Sequence, residues 1–98
     1  MTSRQNSTLA LRMADHDEAG LVRRLADLDS SDPLEEPVLL ALVDGEPVAA
    51  VSLSDERIVA NPFLPTADAV ALLGLRISQL RRARGRRRMI WPPRLRAA

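Results

Sequence analysis

The stretch with the most suggestive chemistry is FLPTADAV, residues 63 to 70, which leads from a short apolar run into a helical pattern. A helix N-terminus presents N–H groups without intrahelical acceptors, and such groups bind phosphate where a ligand can approach them. Asp68 places a carboxylate in the first turn, where it competes with phosphate for the helix dipole, and Pro65 removes one donor. We therefore interpret this loop as a helix cap, with phosphate binding as the alternative.

Arginines near the C-terminus are the second group with binding chemistry. Residues 69 to 98 hold nine arginines and no acid, a net charge of +9, whereas residues 1 to 68 hold all thirteen acids and five arginines, a net charge of −8. Such a segment can bind the phosphates of nucleic acid or, with Met89, Ile90 and Trp91 beside it, an anionic membrane surface. It can also bind a protein partner, or pair loosely with the chain's own acidic part. The predicted polyanion-binding residues are Arg81, Arg82, Arg84, Arg86, Arg87 and Arg88.

Catalytic and metal-binding side chains are scarce. The chain has no cysteine and one histidine, which leaves no thiolate chemistry and no histidine cluster for a metal. His16 lies among acids at residues 15 to 18, where carboxylates suit a solvated helix start. Ser52 and Ser54 have no base in an evident constellation. We therefore predict no catalytic residues and no metal site.

The elements that position these residues follow from local patterns. Alternating apolar residues in TLALRM predict a strand over residues 8 to 13. Asp15 and Glu18 form a D-x-x-E capping box, which predicts a helix over about 16 to 28. Asp44-Gly45, the preferred pair of a type I′ turn, separates apolar runs at 38–43 and 48–53, and a third short strand follows at 57–60.

The last helix is predicted from its cap and its stripe. Thr66 is a good N-cap, and Val70, Leu73, Ile77 and Leu80 follow at helical spacing. These signals predict a helix over about 67 to 83, with Gly85 as the C-cap residue. The stripe is expected to be core packed on the sheet, with a dimer seam as the alternative.

The predicted fold class is α+β in the order β-α-β-β-β-α, with a three-stranded antiparallel meander plus an N-terminal strand and two helices packed on the sheet. Residues 1–7 are expected to be disordered, residues 8–84 to form a single α+β unit, and residues 85–98 to form a disordered basic Arg-rich tail. The longest wholly apolar run, VLLALV, is too short to span a membrane. A soluble, cytoplasmic protein with no transmembrane segment is expected.

The first strand and helix resemble the start of the GNAT superfamily of acyltransferases, where the chain often reads Arg-Pro-Ala-Thr-x-x-Asp. In LRMADHDEAGLVRRLADLD, Arg12 and Ala14 match that pattern, while Asp15 and Glu18 stand at the Thr and Asp positions and Met13 replaces the proline. The hairpin VDGEPVA is similar to the common xDGxxVG turn of the family, and RIVANPFLPTADAVALL stands where the family has its fourth strand and cofactor helix. The resemblance covers about residues 8 to 80.

What the resemblance implies about activity depends on where the chain departs from the family. The pyrophosphate of acetyl-CoA is bound in the family by a loop of the form Arg/Gln-x-x-Gly-x-Gly/Ala, and the equivalent FLPTADAV has neither glycine nor arginine. The second half of the family fold has no counterpart after residue 84. We therefore expect a binding or regulatory module without acyltransferase activity and with no cofactor.

Two alternatives remain open. An acyl-CoA-dependent N-acyltransferase would need its site completed by dimerisation or a partner chain, because a half-domain leaves a sheet edge unpaired. Acetyl-CoA would then bind at Leu64, Pro65, Thr66 and Ala67. The other alternative is a non-specific nucleic-acid or anionic-membrane binder acting through the C-terminal arginines. For the chain in general, a homodimer or a partner protein that completes the sheet is expected.

Overall fold

Four strands form one antiparallel sheet whose spatial order follows the chain order. The computed structural model describes the backbone of residues 8–97 and the side chains of residues 8–85. The strands are β1 (Leu9–Met13), β2 (Val38–Val43), β3 (Glu46–Ser52) and β4 (Ile58–Ala60). With two helices packed on this sheet, the predicted α+β class is confirmed.

The β2–β3 hairpin turns at Asp44-Gly45, as the sequence predicts. Both residues have positive φ, 52° and 85°, which is the backbone that a type I′ turn requires. Beyond the turn the register shifts, because Ala41 lies opposite Ala49 and Leu42 lies opposite Pro47. The extra residue, Val48, forms a bulge next to Pro47, and a bulge is one of the few places where a sheet tolerates a residue without an N–H.

Helix α1 (Ala19–Leu28) begins after a 3-10 turn over His16–Glu18 and is followed by a residue with left-handed backbone, Ser30. The predicted capping box between Asp15 and Glu18 is present. At the other end Ser30 has a φ of 55°, and the N–H of Ser31 donates to the carbonyl of Ala26 at 2.8 Å. The N–H of Ser30 donates to the Asp27 carbonyl at 3.0 Å, which completes a Schellman motif with serine where glycine is usual.

Helix α1 covers one face of the sheet. The even-numbered residues of β2 point to this face, and Leu40 at its centre is fully buried. Leu34, from the loop before β2, fills the space beside the helix. The buried residues of this cluster are Val22, Leu25, Ala26, Leu34, Val38, Leu40, Leu42, Ala50 and Val59.

The opposite face is covered by helix α2 (Ala67–Ala97). Leu73 and Ile77 of the predicted stripe are buried against the odd-numbered residues of β2, so the stripe is core rather than a dimer seam. Val70 and Leu80 at its ends are half-buried. The buried residues of this cluster are Leu39, Ala41, Val48, Ala49, Val51, Ala69, Leu73 and Ile77.

The C-terminal segment differs from its prediction. A helix ending near residue 83 and a tail over residues 85–98 were expected, whereas the backbone of α2 is helical to Ala97. Gly85 lacks the positive φ that a C-cap glycine adopts, and arginine is a good helix former, so residues 81–88 contain no signal that ends the helix. The expectation that residues 1–7 are disordered lies outside the described residues.

Candidate functional site

The loop between β4 and α2 is organised by Asn61. Its backbone N–H donates to the Val48 carbonyl at 2.9 Å, which extends the β3–β4 pairing by one residue. Its side-chain Oδ1 accepts the N–H of Phe63 at 2.9 Å, and its carbonyl accepts the N–H of Leu64 at 3.3 Å. This Asx turn leaves the side chain of Phe63 78% exposed. Asn61 was assigned no role from the sequence, although the Asn-Pro pair is a signal for a turn.

The four predicted cofactor-binding residues, Leu64, Pro65, Thr66 and Ala67, are consecutive and lie at the N-terminus of α2. The Thr66 carbonyl accepts the N–H of Val70 at 2.8 Å, so Thr66 occupies the predicted N-cap position. No residue within 8–85 accepts a hydrogen bond from the N–H of Ala67, Asp68 or Ala69. The arrangement can offer three donors to an anion, and it places the Asp68 carboxylate beside them.

The start of α1 is held by an ion pair that the sequence did not reveal. Both guanidinium nitrogens of Arg12 donate to the Glu18 carboxylate, at 2.8 and 2.7 Å. The N–H of Asp15 donates to the same carboxylate at 2.7 Å. The Arg12 hydrogen bonds, and then the Asp15 N–H, lower the pKa of Glu18 to about 2, and the Glu18 carboxylate raises the pKa of Arg12. A carboxylate with this many donors remains ionised and fastens β1 to the helix rather than abstracting protons.

A cavity of about 400 Å³ lies beside the start of α1. Its walls combine apolar residues such as Val22 and Leu34 with the polar side chains of His16, Arg23 and Glu36. The His16 imidazole has no hydrogen-bond partner in the described part of the chain. The acids near His16 therefore serve the helix start, and no base oriented by a third group is assembled here.

The two serines near the end of β3 form a turn. Ser52 is fully buried, and its Oγ accepts the N–H groups of Ser54 and Asp55 at 3.2 and 3.3 Å. The hydroxyls of Ser52 and Ser54 are 3.0 Å apart, and Ser54 Oγ donates to Glu35 Oε1 at 3.0 Å. The Arg57 N–H, together with the Ser52 hydroxyl, lowers the pKa of Asp55. These contacts use the hydroxyl groups to close the β3–β4 connection.

A groove of about 570 Å³ runs between β1 and α2. Its lining is mostly apolar and includes Leu11, Leu39 and Leu53, together with Met13 on β1 and Leu75 on α2. Met13 is 43% exposed and Leu75 is 51% exposed, so two large apolar side chains border an open apolar channel. The polar residues that also line the groove are Arg12, Arg76 and Gln79. The sequence offered no signal for this groove, because it depends on where α2 crosses the sheet.

The predicted polyanion-binding arginines are placed unequally. Arg81 forms an ion pair with Glu56 after β3, so one arginine of the set pairs with the acidic part of the chain. Arg82 and Arg84 are exposed on α2, with no ion pair in the described range 8–85. The side chains of Arg86, Arg87 and Arg88 lie outside the described ones.

Two structural absences and the comparisons with known proteins complete the description. Across residues 8–97, neither helix is long and apolar enough to cross a membrane. Among the side chains of residues 8–85, no three of the metal-ligating types lie close enough together to hold an ion. No protein-family model, no curated protein and no solved structure matches this chain.

Proposed function

We propose that this chain is a small GNAT-like binding module without acyltransferase activity, and that its basic helix α2 binds a polyanion, nucleic acid in the first place. The observation that carries the proposal is the continuity of α2. In the first part of the helix, Leu73 and Ile77 are buried in the core. The helical backbone then continues without interruption through the arginine-rich segment. A basic segment on an anchored helix loses less conformational entropy on binding than a free tail would.

The distribution of charge favours α2 as the contact surface. All thirteen acids lie within residues 1–68, and all nine arginines after that point lie on α2. An extended phosphate backbone is repelled by the first part and attracted by the second. Arg82 and Arg84 are exposed and available for such contacts.

Nucleic acid is favoured over a membrane surface by the pattern of the arginines. A helix that lies in a membrane interface separates an apolar face from a basic face. In RRARGRRR the arginines recur at almost every position, so no 3.6-residue period sets an apolar face apart. The segment also has no pattern of a recognition helix, and we expect binding that is insensitive to base sequence.

A salt titration tests this proposal. Fluorescence anisotropy of a labelled 20-bp duplex would be followed with the full chain between about 50 and 300 mM salt. If about five phosphates are contacted, the slope of log K against log salt should be near −4.5. The double variant Arg82→Gln/Arg84→Gln should reduce the magnitude of the slope by about 1.8.

The matched control is Arg23→Gln/Arg24→Gln, which removes two exposed arginines from α1. It should leave the slope unchanged. The proposal fails if the duplex does not bind, or if the two double variants lower affinity equally. Stronger binding to vesicles containing anionic lipid than to the duplex would assign α2 to a membrane surface instead.

A second candidate function rests on the N–H groups at the start of α2. Three consecutive donors without acceptors in the described range favour an anion at that point, and the pyrophosphate of acetyl-CoA is the anion that the GNAT resemblance implies. Calorimetric titration with acetyl-CoA tests it. Micromolar binding that survives high salt and is abolished by substituting both Pro65 and Thr66, without unfolding, would support a cofactor site completed by a second chain. No binding would argue against this site and leave the arginines of α2 as the proposed anion-binding group.

A further inference from the structure

The outer edge of β1 and the groove beside it point to a second copy of this chain. We propose a symmetric dimer in which two β1 strands pair antiparallel about Leu11, so that two four-stranded sheets join into one. The inference does not rest on polyanion binding, because its contacts are the outer edge of β1 and the exposed side chains of Met13 and Leu75 rather than Arg82 and Arg84.

The hydrogen-bond pattern of β1 shows which of its backbone groups are open. The N–H of Asp44 donates to the Thr8 carbonyl and the N–H of Ala14 donates to the Val38 carbonyl, both at 2.8 Å. In an antiparallel ladder the paired residues recur at every second position, so the groups of Ala10 and Arg12 point toward β2. The N–H and C=O groups of Leu9, Leu11 and Met13 therefore point outward. No strand of the described chain pairs with them.

This edge is complementary to itself. When two copies pair about Leu11, Leu9 of one copy faces Met13 of the other, and each outward N–H meets an outward carbonyl. On the other face Arg12 lies opposite Ala10, so no like charges meet directly across the strands. Arg12 is in any case neutralised by Glu18.

The groove gives the same pairing an apolar contact. Helix α2 packs on β2, β3 and β4 but leaves the neighbouring face of β1 open, where Leu9 and Leu11 are only half-buried. A twofold axis perpendicular to the joined sheet puts both α2 helices on the same face. The two grooves then meet, and the exposed side chains of Met13 and Leu75 gain apolar neighbours from the second copy.

The other sheet edge is less suited to pairing. Strand β4 has three residues, and the N–H of Ala60 is accepted by the Asp29 side chain at 3.2 Å. Short length and side-chain cover both protect sheet edges from pairing. Strand β1 has five residues, and within residues 8–85 the contact of Arg12 with the Met13 carbonyl is its one side-chain cover.

Sedimentation velocity of the full chain between about 1 and 200 μM tests the dimer. We expect a concentration-dependent shift to twice the monomer mass. Leu75→Glu places a charge in the apolar contact and should raise the dimer dissociation constant by about tenfold or more. The matched control is Phe63→Glu, since Phe63 is the most exposed large apolar residue described and lies in the loop after β4. It should dimerise as the parent chain does.

A second variant tests the strand pairing itself. Leu11→Pro removes an outward N–H while keeping the ladder to β2, whose bonds are made by Ala10 and Arg12, and it should abolish the dimer. Far-UV circular dichroism of each variant shows whether the fold is retained. The proposal is overturned if the parent chain stays monomeric across the range, if folded Leu75→Glu dimerises as well as Phe63→Glu, or if folded Leu11→Pro dimerises normally.

Discussion

The two faces of the sheet are covered by helices of very different length, and the shorter helix covers its face more completely. Helix α1 has 10 residues and α2 has 31. Behind α1 the cluster closes with Leu34 from the loop that follows, whereas beside α2 an apolar groove remains open along β1. Coverage of a sheet is therefore decided by where a helix crosses it and by what the loops add, not by helix length.

The attachments at the ends of α1 account for this difference. Its N-terminal end is fastened to β1 through Arg12 and Glu18, and its C-terminal end reaches β4 through the Asp29 side chain and the Ala60 N–H. The helix thus spans the sheet from one edge strand to the other. Helix α2 is held by Ala69, Leu73 and Ile77 over the last three strands, and its next attachment is the ion pair of Arg81 with Glu56.

The largest expected effect comes from core truncation on the two faces. Leu40→Ala and Leu73→Ala each remove a side chain that is 0% exposed. We expect the free energy of unfolding to fall by about 3–4 kcal/mol for Leu40→Ala and by about 2–3 kcal/mol for Leu73→Ala. Strand β2 is held on both sides and cannot move into the cavity, whereas α2 is free to shift toward the sheet.

Urea denaturation followed by far-UV circular dichroism measures both variants. Leu75→Ala is the control on α2, because its half-exposed side chain should cost less than about 0.5 kcal/mol. If the free energy of unfolding falls as much or more for Leu73→Ala as for Leu40→Ala, α2 does not relax into the cavity more readily than β2.

A smaller, pH-dependent effect is expected from the ion pair that fastens α1. The pKa of Glu18 is lowered to about 2 in the folded chain from an ordinary value of 4.5, so its stabilising contribution is complete above pH 4.5 and is lost as the pH falls toward 2. Glu18→Gln should lower the free energy of unfolding at pH 7. The difference between variant and parent should shrink between pH 4.5 and 2.

Stability curves at several pH values between 2 and 7 would show this convergence. Asp17→Asn removes a neighbouring carboxylate that makes no ion pair within residues 8–85, and it should not reproduce the convergence. A constant difference between Glu18→Gln and the parent at all pH values would mean that Glu18 acts through packing rather than through its charge.

The smallest effect is a gain at the C-terminal end of α1. Ser30 adopts a φ of 55°, a backbone conformation that costs a side-chain-bearing residue more than glycine. Ser30→Gly should therefore raise the free energy of unfolding by about 0.5–1 kcal/mol. Ser31→Gly is the matched control, because Ser31 has no positive φ and its hydroxyl donates to the Asp29 carbonyl, so that variant should lose stability. A loss for both variants would exclude backbone strain at Ser30.

Much of the fold could be predicted from local signals in the sequence. Asp44-Gly45 predicts its turn because few residues tolerate two successive positive φ values, and D-x-x-E at residue 15 predicts a helix start because it satisfies free N–H groups. The Schellman motif at Ser30 could not be predicted, since serine rarely takes that position. The end of α2 was mispredicted because Gly85 looks like a cap in sequence but keeps a φ outside the left-handed region.

The candidate sites also include features that the sequence predicted and features that it did not. The positions of Thr66 and of the arginines that follow could be read from the chain, as could the weakness of FLPTADAV as a phosphate loop. The pairing of Arg81 with Glu56 and the bidentate contact of Arg12 with Glu18 depend on side chains that meet only after folding.

By itself the sequence determined the strand and helix types, the type I′ hairpin and the separation of an acidic part from a basic end, because these depend on short-range periodicity, turn chemistry and composition. Only the tertiary structure decided which sheet face each helix covers, that no described strand pairs with the outer edge of β1 beside an apolar groove, and that the arginines continue a core-anchored helix. The physical reason is that these features depend on contacts between residues far apart in the chain, and local pattern does not specify how separate elements are arranged relative to one another.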